Sequence, residues 1–97
     1  MQSRFTWDET KRATNLAKHH LDFADASLVL DSEFRLDVES VRNGEERTQS
    51  YAYVFDPLAV LTVVFLVREQ PHIISFRAAS KDEREVYHEW LENDCSA

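Results

Sequence analysis

The chain has 97 residues, of which 43% are hydrophobic and 30% charged, with one glycine and two prolines. This composition is typical of one globular domain spanning residues 1–97 and excludes a disordered or fibrous protein. No apolar stretch approaches the ~18 residues of a membrane helix and the polar start lacks the core of a signal peptide, so we expect a cytoplasmic protein without a membrane partner.

The charge and the cysteine count exclude further classes of function. The net charge of −7 argues against a generally basic nucleic-acid binder. Residues 82–97 hold six acids and one base, a net of −5, so residues 1–81 carry only −2. This distribution leaves room for a local basic cleft. Cys95 is the only cysteine, which excludes an internal disulfide and a cysteine metal site.

Two helices are predicted in the first third of the chain. Asp8 can cap a helix from about Glu9 to His20, because its carboxylate can accept from the free amides of the first turn. The apolar positions at helical spacing in this helix are Ala13, Leu16, Ala17 and either His20 or Leu21. A second, short helix is predicted over residues 22–30.

Four strands are predicted next. Phe34, Leu36 and Val38 alternate with charged residues, as in a half-buried strand. Arg42-Asn43-Gly44 predicts a turn into a second strand over residues 46–55, and Asp56-Pro57 predicts the next turn. Residues 58–67 are apolar and rich in valine, which indicates a central strand covered on both faces. A fourth strand is predicted over residues 72–79, and the short connections favour an antiparallel meander.

A capping box predicts the last helix. The Ser80 hydroxyl can accept from the Glu83 amide while the Glu83 carboxylate reaches back to Ser80. The helix then has an apolar stripe that must pack on the sheet, formed by Val86, Tyr87, Trp90 and Leu91. The sequence therefore predicts an α+β domain of order ααββββα, with two N-terminal helices, a four-stranded, mainly antiparallel sheet and a C-terminal helix.

Three groups of residues together resemble the BrnT family of bacterial toxins. The opening of that family is matched by Phe5-Thr6-Trp7-Asp8, Lys11, Asn15, Lys18-His19 and Phe23. Gly44-Glu45-Glu46-Arg47 resembles its turn between the first two strands. Its closing signature is matched by Ile73-Ile74-Ser75-Phe76-Arg77-Ala78-Ala79, Glu83, Arg84 and Tyr87. The resemblance covers roughly residues 5–87. The chain departs from the family at His20, where a glycine is usual, so either the helix runs on or His20 adopts a strained turn.

The resemblance implies a RelE-like fold and metal-independent cleavage of RNA that inhibits translation. It also implies neutralisation by a BrnA-like antitoxin, with operator DNA bound only through the toxin–antitoxin complex. No cofactor is implied. The four histidines show no spacing typical of metal ligands, so we also expect no metal site.

Metal-free RNA cleavage needs a group that takes a proton from a 2′-hydroxyl, a group that stabilises the phosphorane and a group that protonates the leaving oxygen. We select as candidates His19, with Glu83 or Tyr87, for proton transfer, and Lys18, Arg68 and Arg77 for the phosphate. Arg47 is a candidate for substrate binding or for the partner surface. Arg68 and Arg77 end two successive antiparallel strands, so they are expected toward opposite ends of that ladder unless curvature or a turn brings them together.

Each candidate also has a structural interpretation. His19 could cap a helix end, and Arg77 could form a salt bridge with Glu83 or another acid. Glu83 is fully explained by the capping box, and Tyr87 could be a core tyrosine. The departure at His20 and the net charge of −7 leave an alternative function open, a catalytically inactive relative that binds an antitoxin and tunes its repression of the operon.

Overall fold

The computed structural model describes residues 4–54 and 59–94. In chain order its elements are β1 (Thr6–Trp7), α1 (Glu9–His19), a 3₁₀ turn (Phe23–Asp25), α2 (Ser27–Leu30), β2 (Leu36–Arg42), β3 (Glu45–Val54), β4 (Ala59–Leu66), β5 (His72–Ala78) and α3 (Lys81–Asp94). The turn predicted at Asp56-Pro57 lies outside the described residues.

The sheet has five strands in the order β1-β5-β4-β3-β2. The four longer strands form the predicted antiparallel meander. The α+β class is confirmed, but the prediction of four strands is wrong, since β1 adds to β5 in parallel through Thr6 opposite His72 and Trp7 opposite Ile73. A two-residue strand is too short to show alternation, and its pairing joins residues far apart in the chain.

The second N-terminal helix also differs from its prediction. Residues 22–30 form a 3₁₀ turn, capped by the Asp22 side chain accepting from the Ala24 amide at 3.0 Å, followed by only four α-helical residues. The sequence periodicity over these residues cannot separate one continuous helix from two short turns, because both bury Phe23, Ala26 and Val29 at helical spacing.

Helix α1 begins as predicted and ends one residue early. The Asp8 carboxylate accepts from the Thr10 amide at 2.8 Å and the Lys11 amide at 3.2 Å. His20 follows the helix with φ of 61°, in the left-handed region, and its N–H donates to the Leu16 carbonyl at 2.9 Å. The helix therefore does not run on, and a histidine occupies the position where helices usually place glycine.

The predicted apolar face of α1 is not the face that packs. Ala13, Leu16 and Ala17 are all exposed, whereas Asn15 is buried. The Asn15 side-chain amide donates to the Phe76 carbonyl at 2.7 Å, and its oxygen accepts from the Phe76 amide at 3.2 Å. Beyond its short pairing with β1, the edge of β5 carries backbone groups that need hydrogen-bonding partners, so a polar side chain docks this helix instead of apolar ones.

Hydrophobic clusters cover both faces of the sheet. On one face, the 3₁₀ turn and α2 pack on side chains from β3, β4 and β5. On the other face Tyr87 of α3 packs on Tyr51 and Val60. Every residue of β4 is buried or half-buried, as predicted for a central strand. Val86, predicted in the apolar stripe of α3, is 50% exposed, because the packed face of the helix is rotated toward Glu83 and Tyr87.

The hairpin between β2 and β3 is confirmed as predicted. Asn43 and Gly44 have φ of 54° and 77° and connect Arg42 directly to its pairing partner Glu45. Two successive left-handed residues give the tight turn that matches the twist of the strands. Among residues 4–54 and 59–94, no helix is long and apolar enough to cross a membrane.

Candidate active site

The most connected polar group in the described part of the chain is the ion pair between Arg77, near the end of β5, and Glu83, in the first turn of α3. The guanidinium donates to both carboxylate oxygens, Nη1 to Oε1 at 2.7 Å and Nη2 to Oε2 at 2.9 Å. The Ser80 amide donates to Oε1 at 2.8 Å and the Gln49 side-chain amide donates to Oε2 at 3.1 Å. The Glu83 amide in turn donates to the Ser80 hydroxyl at 3.2 Å, which confirms the capping box.

These contacts fix the protonation of Glu83. The hydrogen bonds from Arg77 have the largest effect and lower the pKa of the Glu83 carboxyl to about 2; burial acts in the opposite direction, and the Ser80 amide, the charge of Arg77 and Gln49 add to the lowering. The same pairing raises the pKa of Arg77. Glu83 is therefore a carboxylate at neutral pH and has no proton to give, and so low a pKa makes it a weak base.

His19 lies at the same edge of the sheet. Helix α1 runs along β5, because Trp7 just before it pairs with Ile73 and Asn15 bonds to Phe76. His19 is one helical turn beyond Asn15 on the same face and is half-buried.

The surroundings of His19 favour the neutral imidazole. Burial lowers the pKa of His19 below its ordinary value of 6.5, and the positive charges of Lys18, Arg77 and His20 lower it further. Arg77 is thus close enough to His19 for their charges to interact. The imidazole is neutral at pH 7 and can accept a proton. Lys18, its exposed neighbour, places a second cation at the end of α1.

Tyr87 is held in the core. Its side chain is 1% exposed, and its hydroxyl donates to the Phe34 carbonyl at 2.7 Å and accepts from the Tyr53 amide at 3.3 Å. Although Tyr87 follows Glu83 by one helical turn, its hydroxyl bonds backbone groups on the far side from Arg77. These contacts are those of a structural tyrosine.

Arg68 lies away from the Arg77–Glu83 pair. It follows Leu66, which pairs with His72, whereas Arg77 lies opposite Thr62, four residues along β4 from Leu66. The Arg68 guanidinium donates to the Glu45 carboxylate at 2.8 Å, and both side chains are about half exposed. Arg68 and Arg77 thus occupy opposite ends of the ladder, as the antiparallel connection predicts.

Arg47 lies on the same face of β3 as Gln49, two residues away. It borders two adjoining depressions of roughly 210 and 480 Å³, the larger of which also includes Ser40 and Gln49. The Arg47 Nε is buried and finds no hydrogen-bond acceptor among the residues that the structure describes. Gln49 borders the larger depression, and its side-chain amide donates to Glu83, so this depression lies next to the Arg77–Glu83 pair.

Sequence reasoning missed two residues of this cluster, Gln49 and Tyr51. Gln49 orients the Glu83 carboxylate. Tyr51 lies in a cross-strand row with Thr62 and Arg77, and burial first, then the negative charge of Glu83, raises the pKa of its hydroxyl. The turn at Gly44 fixes which side chains of β3 share a face. Its position in the sequence could therefore have predicted that Arg47, Gln49 and Tyr51 lie on one face of the strand.

The register of β5 on β4 could not have been predicted from the sequence in the same way. A bulge between Val64 and Phe65 shifts the pairing, and it decides which residues of β5 face the cluster. Among the described residues, no three histidine, cysteine or acidic side chains come together as a metal-binding group.

The fold and the cluster define a small α+β protein with cations and a neutral histidine at one sheet edge, a set of groups suited to phosphodiester chemistry. Comparison with protein families assigns the class: the family model described as ribonuclease toxin, BrnT, of type II toxin-antitoxin system matches residues 7–83. The chain belongs to the BrnT family of ribonuclease toxins, and this family implies an antitoxin partner. A search of curated proteins found no significant match.

Proposed function

We propose that this protein is a metal-independent endoribonuclease that inhibits translation in the cytoplasm and is neutralised by a BrnA-like antitoxin, through which alone it binds operator DNA. We further propose that its fold is RelE-like. The observation that supports the nuclease assignment is the Arg77–Glu83 pair at the end of β5, with His19 at the end of the helix that packs along this strand and the charge of Arg77 acting on its imidazole.

In the proposed reaction, His19 takes the proton of a ribose 2′-hydroxyl. The 2′-oxygen attacks the adjacent phosphorus, a 2′,3′-cyclic phosphate forms, and the bond from phosphorus to the 5′-oxygen breaks. The leaving oxygen takes a proton from water, because Glu83 carries none and the Tyr87 hydroxyl is committed to the core; the hydroxide that remains is neutralised by the proton that His19 then releases. A histidine whose pKa is lowered by burial and by neighbouring positive charges is neutral at pH 7 and can accept the proton in this first step.

Arg77 and Lys18 stabilise the charge that develops on the phosphorane. Glu83 and Gln49 are positioning residues in this scheme, since they orient the Arg77 guanidinium without contacting the substrate. Arg47 is proposed to bind a flanking phosphate, because this cation borders the depression beside Gln49. Arg68 is assigned to the periphery of the substrate path.

The test is cleavage of RNA by purified, antitoxin-free protein in the presence of EDTA. Wild-type protein should cleave with undiminished rate in the chelator, and His19→Gln and Arg77→Gln should each lower the rate constant by about 10² to 10³. Arg12→Gln is the matched control, because Arg12 forms another two-bonded pair with a carboxylate, that of Asp22 at 2.7 and 2.8 Å, away from the cluster.

Loss of all cleavage in EDTA would refute metal independence, and equal effects of Arg12→Gln and Arg77→Gln would refute the assignment of Arg77. Translation inhibition is measured separately, as loss of reporter synthesis in a cell-free system before and after addition of the antitoxin.

One observation favours the inactive interaction module as a second candidate. Arg77 and Glu83 satisfy each other, and the capping box accounts for the remaining contacts of Glu83. An inactive module would leave growth unaffected on expression and would leave RNA intact at any dose. Growth arrest by the wild type, relieved by Arg77→Gln, would exclude it.

A further inference from the structure

A groove lies on the side of α3 away from the Arg77–Glu83 pair. Its volume is roughly 440 Å³, within the range of about 300–1,000 Å³ of protein pockets that enclose ligand groups. Tyr87 is among its lining residues, and around it stand Phe34 before β2, Tyr53 in β3, and His88 and Leu91 in α3.

Two exposed aromatic side chains border this groove. The Phe34 side chain is 52% exposed and Tyr53 is 41% exposed. The Tyr87 hydroxyl bonds the backbone of both residues, at 2.7 Å and 3.3 Å, which fixes the walls of the groove. Exposed aromatic residues on a rigid frame are typical of sites where a partner inserts apolar anchor side chains, and they cost little ordering entropy on binding.

The rim of the groove is acidic. Glu33 lies beside Phe34 in the lining, and the helical repeat of α3 places Glu85 and Glu92 on the same flank as His88. This charge disfavours RNA, whose phosphates would be repelled. It also disfavours a second copy of this chain, which carries a net charge of −7.

We propose that this groove binds the antitoxin, through a segment that inserts large apolar side chains between Phe34 and Tyr53 and places lysines or arginines against Glu33 and Glu85. The inference rests on the antitoxin partnership of the proposed function. It adds where the antitoxin binds and which side chains make the contact, at a place separate from the Arg77–Glu83 pair.

The experiment measures the affinity of full-length variants for the purified BrnA-like antitoxin by calorimetry, with RNA cleavage by the free variants measured alongside. Phe34→Ser and Tyr53→Ser should each weaken binding about tenfold or more. Val86→Ser, equally exposed on the opposite flank of the same helix, should leave the affinity close to that of the wild type.

A second pair of variants tests the charge and does not disturb the apolar contacts. Glu33→Lys should slow association and reduce its dependence on salt, whereas Glu69→Lys, in the exposed turn before β5, should not. Antitoxin affinity that responds equally to Val86→Ser and Phe34→Ser would overturn the proposal, as would unchanged affinity in both groove variants.

Other occupants would be recognised by their own readouts. If the wild type sediments as a dimer and Phe34→Ser as a monomer, the groove binds a second copy of this chain and the proposal is overturned. If Phe34→Ser weakens RNA binding and leaves the antitoxin affinity unchanged, the groove binds RNA and the proposal is also overturned. If the protein binds the antitoxin through the groove but cleaves no RNA, the proposed nuclease activity is refuted and the proposed antitoxin site is not. Failure of the proposed function can therefore be distinguished from failure of this inference.

Discussion

Replacing Glu83 by glutamine tests whether the ion pair at the candidate active site also stabilises the fold. The variant keeps the size of the side chain and an oxygen that can still accept from Arg77 and from the Ser80 amide. What it removes is the negative charge. The difference in the free energy of unfolding between wild type and Glu83→Gln therefore reports how much the folded protein favours the carboxylate form.

The magnitude follows from the pKa of Glu83, which folding lowers from 4.5 to about 2. At 1.36 kcal/mol for each pKa unit this sets an upper bound of about 3 kcal/mol. Water still reaches the pair, with 18% of the Glu83 side chain and 28% of the Arg77 side chain exposed, so we expect about 1 to 2 kcal/mol at pH 7. Because the folded pKa is lowered, this stability is present above pH 4.5 and is lost as the pH falls through about 2.

Urea unfolding followed by circular dichroism at several pH values from 7 to 2 checks the prediction. The difference in the free energy of unfolding between wild type and Glu83→Gln, here called the gap, should be largest at pH 7 and should decrease toward zero as the pH approaches 2. Asp82→Asn, at an exposed neighbouring acid in the same helical turn, serves as the control and should show a small gap at every pH. A gap for Glu83→Gln that stays constant from pH 7 to pH 2 would refute the electrostatic reasoning, because a lost shape or packing contact does not titrate.

Three further predictions concern the helix that carries His19. His20→Gly should raise the free energy of unfolding by about 0.5 to 1 kcal/mol and the midpoint of thermal unfolding by a few degrees, because a left-handed φ of 61° strains a histidine more than a glycine. Lys18→Gln should move the acidic limb of the cleavage rate to higher pH, since removing a positive neighbour raises the pKa of His19. Asn15→Leu should lower the free energy of unfolding in urea by about 2 to 4 kcal/mol, because the Phe76 amide and carbonyl lose their partner in a buried position.

Each of these has a matched control. Asn43→Gly also changes a left-handed residue, but asparagine tolerates that conformation, so a gain as large as that of His20→Gly would contradict the strain argument. Lys11→Gln removes a cation earlier in the same helix and should leave the pH profile in place. Thr14→Ala, next to Asn15 on the exposed face, should change stability little, and a cost equal to that of Asn15→Leu would mean that the edge contact is unimportant.

Much of the candidate site could be predicted from local patterns. The capping box placed Glu83 in the first turn of α3, and the contacts of Ser80 with Glu83 have the predicted form. The pairing of Arg77 with Glu83 agrees with the structural interpretation of Arg77, a salt bridge to Glu83 or another acid. These features depend on residues close in the chain, whose relative positions the helix and strand repeats fix.

Other parts of the site depend on contacts between distant residues. Gln49 reaches Glu83 across 34 residues, and Asn15 reaches Phe76 across 61. The apolar stripe of α1 suggested the wrong packed face, because periodicity shows which residues are apolar and not where a sheet edge needs hydrogen bonds. His20 left two possibilities open until the backbone showed its left-handed turn.

By itself, the sequence determined the α+β class, the start of both main helices, the hairpin at Gly44 and the buried central strand. Each of these follows from a local cap, turn or repeat. The tertiary structure decided the fifth strand, the face of α1 that packs and the contact of Gln49 with Glu83. These depend on strand register and on the bulge after Val64, which arise when distant segments pair and which short-range patterns do not encode.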